Sequence, residues 1–476
     1  MKRLFAAVFL FFFASLLPSA QAAGSGQRGD TFFPDFTLHK LESGSGPTLL
    51  VVGGIQGDEP GGFSAASLLA THYTIKKGNV WVVPNLNFLS IIRSSRGVYG
   101  DMNRKFAYIS PQDPQFEAVR NIQNIILDPK VDLVLNLHDG SGFYRPKWEN
   151  DRFNPKRWGQ CIVIDQERVD DEVAQNPRFQ DLQGMAGRVL DRVNVRLLRY
   201  AHVYHIKNTT TRNFDLEMEK TLSYFAVCAG KAAFGLETSK ELPAESRVYY
   251  HSCLLEAFMR EMGIEFERKF HLSPAGVALA LNKDISIRLY NKRTVLKLDN
   301  ARVTTRGFIP VRQGPDLAPE PSNPLLTVLT GDGQWRVIYG NRTLTRFTPE
   351  YMPFDESVQT VNLLVDDRAF SVNIGDMVRV NSHFMVRDEN SLRVNAIGAK
   401  KEVNGSEADV RLERADFAPS FSLDQGGNVF RVEFYREKAF CGMILVNFGP
   451  ENADSGNLPK TLLTAGHADD KNGLGR

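Results

Sequence analysis

The sequence predicts an α/β domain with a mixed, largely parallel sheet, followed by two small antiparallel β modules of the sandwich or barrel type. Three observations support this prediction. Short apolar runs alternate with helical patterns from Thr48 to about Gly263. After about Glu267 apolar residues alternate singly with polar ones, which is typical of strands with one solvated face. Turn-forming pairs such as Gly426-Gly427 separate these later strands.

In the α/β part, the predicted strands are nearly continuous in apolar residues, as expected for strands covered on both faces. They are Leu49–Val52, Val80–Val83, Leu133–Leu137, Cys161–Ile164 and Ala232–Leu236. The predicted helices are Gly62–His72, Gln115–Ile126, Phe179–Val195 and Val248–Met262. In the third helix, apolar residues recur every three to four positions and so share one face. Strands that alternate with helices indicate parallel pairing.

The later part of the chain divides into two β modules in our interpretation. No long amphipathic helix is predicted between Leu272 and Pro450. We place the α/β domain at residues 28–268, the first β module at 269–366 and the second at 367–455. The boundary between the two modules is placed near Asp366-Asp367, without a specific sequence signal for this position. Residues 456–476 form a polar tail.

The composition indicates an ordinary globular protein. Lys and Arg total 57 against 55 Asp and Glu, which leaves a net charge of +2, and 42% of the residues are hydrophobic. These values argue against a mostly disordered chain. They also argue against a nucleic-acid binder, which normally has a large basic excess.

The N-terminus predicts export. Lys2 and Arg3 precede an apolar run from Leu4 to about Leu17, and Ser19-Ala-Gln-Ala22 follows. This order is typical of a secretory signal peptide, here residues 1–22, cleaved near Ala22. The run is shorter than the roughly 20 residues of a membrane-spanning helix, so no membrane span is expected after cleavage. We expect a periplasmic protein.

Four cysteines leave the redox state open. Cys161, Cys228, Cys253 and Cys441 contain no CxxC pair, so thiolate zinc binding is not predicted. An oxidising compartment permits disulfides, and Cys228 and Cys253 are one possible pair. Buried free thiols are an equally good reading of the same sequence.

The ends of three predicted strands carry residues suited to metal chemistry. A buried strand ends in Gly53-Gly54 and is followed by Gln56 and Glu59 before a helix. A second strand ends at His138 and a third at Glu237. In a parallel sheet these side chains share the crevice at the carboxyl edge. Three protein ligands with an open fourth position is the arrangement of catalytic zinc, and a nearby carboxylate can act as a general base on water.

Simpler readings of the same residues exist. Gln56 and Glu59 are also compatible with capping of a helix N-terminus, and His138 with a hydrogen-bonded structural histidine. His202 and His205 form a competing ligand pair, but no acidic third ligand has comparable spacing. Glu241 competes with Glu237, although its distance from the strand favours a surface charge.

Together these motifs resemble the funnelin type of zinc carboxypeptidase, whose pattern is His-x-x-Glu, a later His and a catalytic Glu. The resemblance covers about Thr48–Leu242, and Gln56 stands where the usual first histidine would be. That variant, with the β extension, resembles the murein tripeptide DL-carboxypeptidases that help set cell shape in curved and helical bacteria. The amide oxygen of Gln56 is neutral like imidazole but a weaker donor, so it should hold zinc less tightly.

The resemblance implies roles for further residues. Asn103 and Arg104 look like the pair that grips the terminal carboxylate of the substrate, which suits the planar fork of arginine. Arg96 resembles the arginine that stabilises the oxyanion, with Arg93 as its rival. Trp158 and Ser223 line the substrate pocket by weaker analogy. Glu237 is the expected base, and Gln56, Glu59 and His138 are the expected ligands of one zinc ion per chain.

The function implied by the resemblance is removal of meso-diaminopimelate from the end of a peptidoglycan stem tripeptide, leaving a dipeptide. The expected partners are muropeptides, and the β modules are candidates for binding the wall or other shape-determining proteins. One alternative is a hydrolase of N-acyl amino acids like aspartoacylase and succinylglutamate desuccinylase. The other is a wall-binding pseudoenzyme that has lost zinc through Gln56.

Overall fold

The structure is a computed structural model that describes residues 35–450 except 214, 315–316, 332, 388–390 and 402–404. The predicted signal peptide and polar tail lie outside the described residues. In the part of the chain that is described, no helix is long and apolar enough to cross a membrane.

Residues 35–282 form the α/β domain. Its strands are β1 (His39–Glu42), β2 (Thr48–Val52), β3 (Tyr73–Lys77), β4 (Asn79–Val83), β5 (Val131–Gly140), β6 (Phe143–Tyr144), β7 (Phe153–Asn154), β8 (Cys161–Ile164), β9 (His205–Asn208), β10 (Ala232–Ser239) and β11 (Glu265–Arg268). Its helices are α1 (Pro60–His72), α2 (Phe88–Ile92), α3 (Phe116–Leu127), α4 (Leu182–Val193), α5 (Leu222–Cys228), α6 (Ala244–Met262) and α7 (Pro274–Asn282).

A seven-stranded mixed sheet with the order β1-β4-β2-β5-β10-β8-β9 forms the centre of this domain. The four central strands pair in parallel, while β1 and β8 pair antiparallel to their neighbours β4 and β10. Every residue of β2 is buried, because helices cover both faces of the sheet. The predicted fold class, with its mixed and largely parallel sheet, is therefore confirmed.

Element ends differ from the prediction where local chemistry overrides the apolar pattern. Strand β5 continues to Gly140, three residues beyond its predicted end, so His138 belongs to the strand itself. Helix α4 starts at Leu182 because the side chain of Asp181 accepts a hydrogen bond from the amide of Gly184 and caps it. The sequence prediction missed α7, whose nine residues begin at a Ser273 cap and Pro274.

The remaining residues form small β-sheets. Their strands are β12 (Ser286–Leu289), β13 (Thr294–Lys297), β14 (Thr304–Val311), β15 (Glu320–Pro321), β16 (Leu326–Leu329), β17 (Trp335–Tyr339), β18 (Arg342–Tyr351), β19 (Thr360–Val365), β20 (Arg368–Asn373), β21 (Met377–Arg379), β22 (His383–Val386), β23 (Arg393–Ala396), β24 (Leu412–Glu413), β25 (Val429–Arg436) and β26 (Ala439–Asn447). Most pairings are antiparallel, with β14 parallel to β18 and β21 parallel to β26.

The turn at Asp366 and Asp367 lies inside one sheet. Both residues have positive φ, 48° and 65°, and they join β19 to β20, in which Val365 pairs with Arg368. The boundary predicted at this position therefore falls in the turn of a hairpin. The last hairpin, β25–β26, contributes to two hydrophobic cores, because its alternate residues face the sheets on either side.

The first β module packs against the α/β domain close to the carboxyl edge of the sheet. Phe63 of α1 and Phe88 and Ile91 of α2 are part of the core formed mainly by residues 285–347. The turn between β17 and β18 also reaches this edge, where Asn341 Nδ2 lies 3.3 Å from Ser94 Oγ. The first β module therefore packs against helices α1 and α2, which follow the loops after β2 and β4.

All four cysteines are free thiols in the structure. Cys161, Cys253 and Cys441 are buried and Cys228 is exposed, so the pairing of Cys228 with Cys253 does not occur. Burial raises the pKa of the Cys253 thiol to about 11, which keeps it protonated and unreactive at neutral pH.

Candidate active site

A cavity of about 280 Å³ lies at the carboxyl ends of β2, β5 and β10. This is the edge at which parallel α/β sheets bind ligands. All nine residues that the sequence analysis selected line this cavity: Gln56, Glu59, Arg96, Asn103, Arg104, His138, Trp158, Ser223 and Glu237.

Glu59 and His138 are in contact with each other on the cavity wall. Glu59 precedes the first residue of α1, and its Oε2 lies 2.9 Å from His138 Nδ1. The amide of Asp139 donates to the same oxygen over 3.2 Å. Burial lowers the pKa of His138, but the hydrogen bond and charge of Glu59 raise it by more, so the net shift is upward.

Gln56 has an amide whose orientation follows from its partner. Gln56 Nε2 donates to Asp101 Oδ1 over 2.9 Å. Burial raises the pKa of Asp101, but hydrogen bonding from Gln56 and the charge of Arg96 outweigh burial and lower it. Asp101 is therefore ionised and can only accept, so the amide nitrogen must face it. The amide oxygen of Gln56 is left as the atom available to another ligand.

Arg96 shares the same carboxylate. Its Nε and Nη2 donate to Asp101 Oδ2 over 3.1 and 2.9 Å, and its Nη1 lies 3.9 Å from Glu59 Oε1. The guanidinium is half-exposed and lines the cavity. Arg93, its rival in the sequence analysis, is exposed at the end of α2 and is not among the cavity-lining residues.

Glu237 lies directly beside His138, because the two residues are paired in the parallel ladder between β10 and β5. Within the described residues, its Oε2 is buried without a hydrogen-bond partner. Burial is the main reason that the pKa of Glu237 rises to about 8, and the charges of Glu59 and Asp139 add to the rise. A cation bound nearby would lower this pKa.

Asn103 and Arg104 lie in a short 3-10 turn, Met102–Arg104, which the Asp101 side chain caps by accepting from the amide of Asn103. Asn103 Oδ1 accepts from the amide of Leu222 over 3.0 Å, which ties the turn to the start of α5. Arg104 Nη1 donates to the Asn103 carbonyl over 3.0 Å, and its Nε lies 3.5 Å from Glu217. Arg104 is partly exposed and can contact a ligand.

Trp158 and Ser223 line the same cavity as Arg104 and Glu237. Ser223 is in the first turn of α5, which begins after the Thr221 cap. The ammonium of Lys207 lies 4.3 Å from the centre of the Trp158 ring. This cation–π contact holds the indole in place.

Three charged residues at the site were missed in the sequence analysis: Asp101, Asp139 and Lys240. Lys240 Nζ lies 3.4 Å from Glu59 Oε1 and 2.9 Å from Asp58 Oδ2, and these carboxylates raise its pKa against the effect of burial. The sequence signal for these three residues was their closeness along the chain to the predicted site residues Asn103, His138 and Glu237. Proximity alone, however, does not separate an inward-facing charge from a solvated one.

Asp139 is fully buried and joins three segments of the site. Its carboxylate accepts from the amide of Gly61 over 2.8 Å and from Thr238 Oγ1 over 2.7 Å. Arg247 Nη1 and His251 Nε2 lie 2.6 and 3.3 Å away. A Cβ at Gly61 would lie 2.3 Å from the same carboxylate, so only glycine fits there. The network fixes the start of α1, just after Glu59, against the ends of β5 and β10.

We expect Asp139→Ala to lower the free energy of unfolding by about 3–5 kcal/mol, because Arg247 is left as a poorly compensated charge in a buried network. Urea denaturation followed by far-UV circular dichroism measures this loss. The control is Asp191→Ala on the exposed side of α4, for which we expect a change within about 0.5 kcal/mol.

The pH dependence supplies a second readout for Asp139. Burial raises the pKa of Asp139, but His251 and Arg247 outweigh burial and lower it to about 2, below its unfolded value of roughly 3.9. Its stabilisation is therefore present above about pH 4 and is lost as pH falls toward 2. An Asp139→Ala protein with unchanged stability and the same acid profile as wild type would contradict this role.

The competing candidates lie in structural positions. His202 Nδ1 is 2.8 Å from the Tyr250 hydroxyl, and its ring stacks on Phe143. The ring of His205 contacts the edge of Tyr144. Glu241 is a surface residue paired with Arg152. In the part of the chain that the structure covers, no group of three or more His, Cys, Asp and Glu side chains could hold a metal ion.

The Gln56, Glu59 and His138 side chains nevertheless fit a metal ion. They offer one amide oxygen, one carboxylate and one imidazole on the same wall, and the amide oxygen is left free by the Asp101 contact. Glu237 lines the same cavity, and its buried Oε2 has no hydrogen-bond partner among the described residues. One imidazole nitrogen, one carboxylate and one neutral amide oxygen form a ligand set that suits a borderline cation. Such a set leaves the fourth coordination position open.

Comparison with known proteins identifies relatives across most of the chain. Residues 37–282 match the catalytic part of the carboxypeptidases controlling helical cell shape, and residues 354–449 match a C-terminal domain of metallo-carboxypeptidases. The tripeptide-bound cell shape determinant Csd4 from Helicobacter pylori is 37% identical, with a TM-score of 0.78 over 87% of this chain and 100% of that chain. The mDAP-bound form of Csd4, a D,L-carboxypeptidase, is 37% identical with a TM-score of 0.79 over 86% and 99%.

A more distant relative matches one segment. Over 108 residues the chain is 33% identical to N-alpha-acetyl-L-2,4-diaminobutyric acid deacetylase from Halomonas elongata. The match covers 21% of this chain and 30% of the deacetylase, so the chain spans less than a third of that curated relative.

The fold and the catalytic family match define a metallo-carboxypeptidase, an enzyme class that uses a metal cofactor. The matched region holds the whole of the α/β domain's central sheet and all of the cavity-lining residues. The chain belongs to the family of carboxypeptidases controlling helical cell shape. This confirms the resemblance predicted from the sequence.

Proposed function

We propose that this protein is an exported, periplasmic zinc carboxypeptidase that removes meso-diaminopimelate from the end of a peptidoglycan stem tripeptide and leaves a dipeptide. The observation that carries the proposal is the convergence of Gln56, Glu59 and His138 beside Glu237, in a cavity that Arg104 also lines. The tripeptide-bound and mDAP-bound structures of Csd4 support the choice of substrate.

Gln56, Glu59 and His138 would hold the zinc ion, one per chain. When bound, zinc supplies Lewis-acid chemistry: it polarises the scissile carbonyl and lowers the pKa of water. Asp101 and the amide of Asp139 orient the ligands Gln56 and Glu59 through the hydrogen bonds described above.

The protein's own groups carry the proton and charge movements. Glu237 accepts the proton of the attacking water and then delivers it to the leaving amine. Arg96, fixed by two hydrogen bonds to Asp101, stabilises the negative charge that develops on the carbonyl oxygen. Asn103 and Arg104 bind the free terminal carboxylate, which restricts cleavage to the last residue. Trp158 and Ser223 contact the side chain of that residue.

The test is digestion of purified soluble disaccharide tripeptide, with products identified by mass spectrometry. We expect free meso-diaminopimelate and disaccharide dipeptide, no cleavage after chelation, and recovery on adding about one zinc per chain. The matched control substrate carries a terminal carboxamide and should be cleaved far more slowly. Cleavage that is insensitive to chelation, or a metal-loaded protein that leaves the tripeptide whole, would refute the proposal.

The deacetylase match favours a second candidate, hydrolysis of the amide bond in a small N-acyl amino acid. The same cavity residues could carry that reaction, since both substrates have an amide next to a free carboxylate. Release of amino acid from acetylated amino acids, with intact muropeptides in a parallel digest, would select it over the carboxypeptidase.

A further inference from the structure

An exposed group of arginines lies on the outer face of the β17–β18 hairpin. Arg336 on β17 and Arg346 on β18 are directly opposite each other in the antiparallel ladder, and both are exposed. Thr304 of β14 pairs with Arg346 from the other side, and the exposed Arg306 is two residues further along that strand.

Among the residues that the structure describes, these arginines have no acidic partner. None of the ion pairs among the described residues involves Arg306, Arg336 or Arg346. In the part of the chain with a described structure, the one side-chain hydrogen bond of the three runs from Arg306 Nη1 to Ser420 Oγ over 3.3 Å. The nearest carboxylate along β18 is Glu350, four residues from Arg346, or about 13 Å along an extended strand. Like charges placed opposite each other destabilise a sheet, so this arrangement costs stability unless an anion offsets it.

The hairpin joins this group to the active site. Its turn contacts Ser94 through Asn341, and Ser94 is two residues before Arg96. The Arg336–Arg346 pair is about five residues from the turn, or roughly 17 Å along the strands. Arg93 directly precedes Ser94. It is exposed and has no ion pair among the described residues.

Exposed apolar residues flank the arginines on β14 and the residue before it. Phe308 is 58% exposed and Val303 is 71% exposed. Arginine with nearby exposed apolar side chains is typical of interfaces, where lysine and acidic residues are depleted. The guanidinium fork also matches the geometry of carboxylates.

We propose that Arg306, Arg336 and Arg346 form a docking surface for the carboxylate-rich stem peptides of the peptidoglycan polymer. This inference rests on the proposed function, which places that polymer at the cavity. Each tripeptide stem carries three carboxylates and one ammonium, so stems next to the one being cut present the required negative charge. When one stem peptide of the polymer occupies the cavity, other parts of the same polymer are held next to the adjoining hairpin. This favours the polymer over a separate acidic protein as the ligand of the arginines.

Co-sedimentation with purified sacculi tests the proposal in the full-length protein. We expect Arg336→Glu combined with Arg346→Glu to reduce the sedimented fraction about tenfold at low salt. Wild-type binding should fall when salt is raised from about 50 to about 300 mM. The matched control is Arg368→Glu with Lys438→Glu, which changes the charge equally at exposed residues without ion pairs in the described residues. Arg336→Lys with Arg346→Lys should keep most of the binding.

Soluble muropeptide cleavage separates docking from catalysis. The charge-reversed protein should keep its kcat/KM on soluble disaccharide tripeptide within about twofold, since neither arginine lines the cavity. Unchanged binding to sacculi by the charge-reversed protein, or an equal loss in the control, would overturn the proposal. So would wild-type binding to anionic phosphatidylglycerol vesicles but not to sacculi. If no muropeptide is cleaved while sacculus binding still requires the arginines, only the catalytic assignment fails.

Discussion

Glu237→Gln is expected to lower kcat on the tripeptide by about 10²–10⁴-fold, the range for removal of a general acid–base residue. The amide keeps the size and burial of the carboxylate but can neither accept nor deliver the proton. In the metal-loaded enzyme, where the cation keeps Glu237 ionised, the substitution also removes one negative charge next to His138. Steady-state kinetics on soluble disaccharide tripeptide measures the effect.

Metal content distinguishes a lost base from a lost metal. Glu237→Gln should retain about one zinc per chain, whereas His138→Ala should lose both zinc and activity. Glu241→Gln is the matched control, because Glu241 is an exposed carboxylate on the same segment, paired with Arg152. We expect its kcat to stay within about twofold of wild type. A Glu237→Gln enzyme with full metal and near wild-type kcat would show that another group moves the proton.

The pH profile follows from the position of Glu237. Burial raises the pKa of this carboxyl to about 8 in the metal-free site, and a bound cation lowers it. The ionised form of Glu237 is the active base. We therefore expect kcat/KM to rise with pH through the pKa that Glu237 has in the metal-loaded enzyme. That rise should be absent from the residual activity of Glu237→Gln.

The fold class was predictable because the central strands are apolar along their whole length. This pattern is expected only of strands that are buried on both faces. The cavity residues were predictable for the same reason. Once β2, β5 and β10 are recognised as parallel, Glu59, His138 and Glu237 follow at one edge. Their individual catalytic roles remain predictions from the resemblance and the geometry.

The supporting charges could not be predicted, because their function depends on which way a side chain points. Asp101 contacts Gln56, Arg96 and Asn103 through two oxygens, and no sequence pattern separates this from a solvated loop aspartate. The hairpin turn at Asp366 and Asp367 has the same composition as a linker. Only its pairing across β19 and β20 places it inside a sheet.

Arg104→Leu is expected to lower kcat/KM for the tripeptide by about 30- to 4,000-fold. Removing one partner of a hydrogen-bonded charge pair in a binding site costs roughly 2–5 kcal/mol, and every 1.4 kcal/mol is about tenfold. The loss should be mostly in KM, because the free carboxylate is bound alike in the ground and transition states.

The substrate provides the internal control for Arg104. Against a tripeptide with a terminal carboxamide, wild type and Arg104→Leu should be about equally slow, since the charge partner is absent from both reactions. Arg104→Lys should recover only part of the activity, because an ammonium keeps the charge but not the two parallel hydrogen bonds. Arg120→Leu, at an exposed position of α3 outside the cavity, is the matched control and should match wild type. If Arg104→Leu discriminated against the carboxamide as strongly as wild type does, another residue would have to bind the carboxylate. The partly exposed guanidinium of Arg104 would then serve only its contact with Glu217.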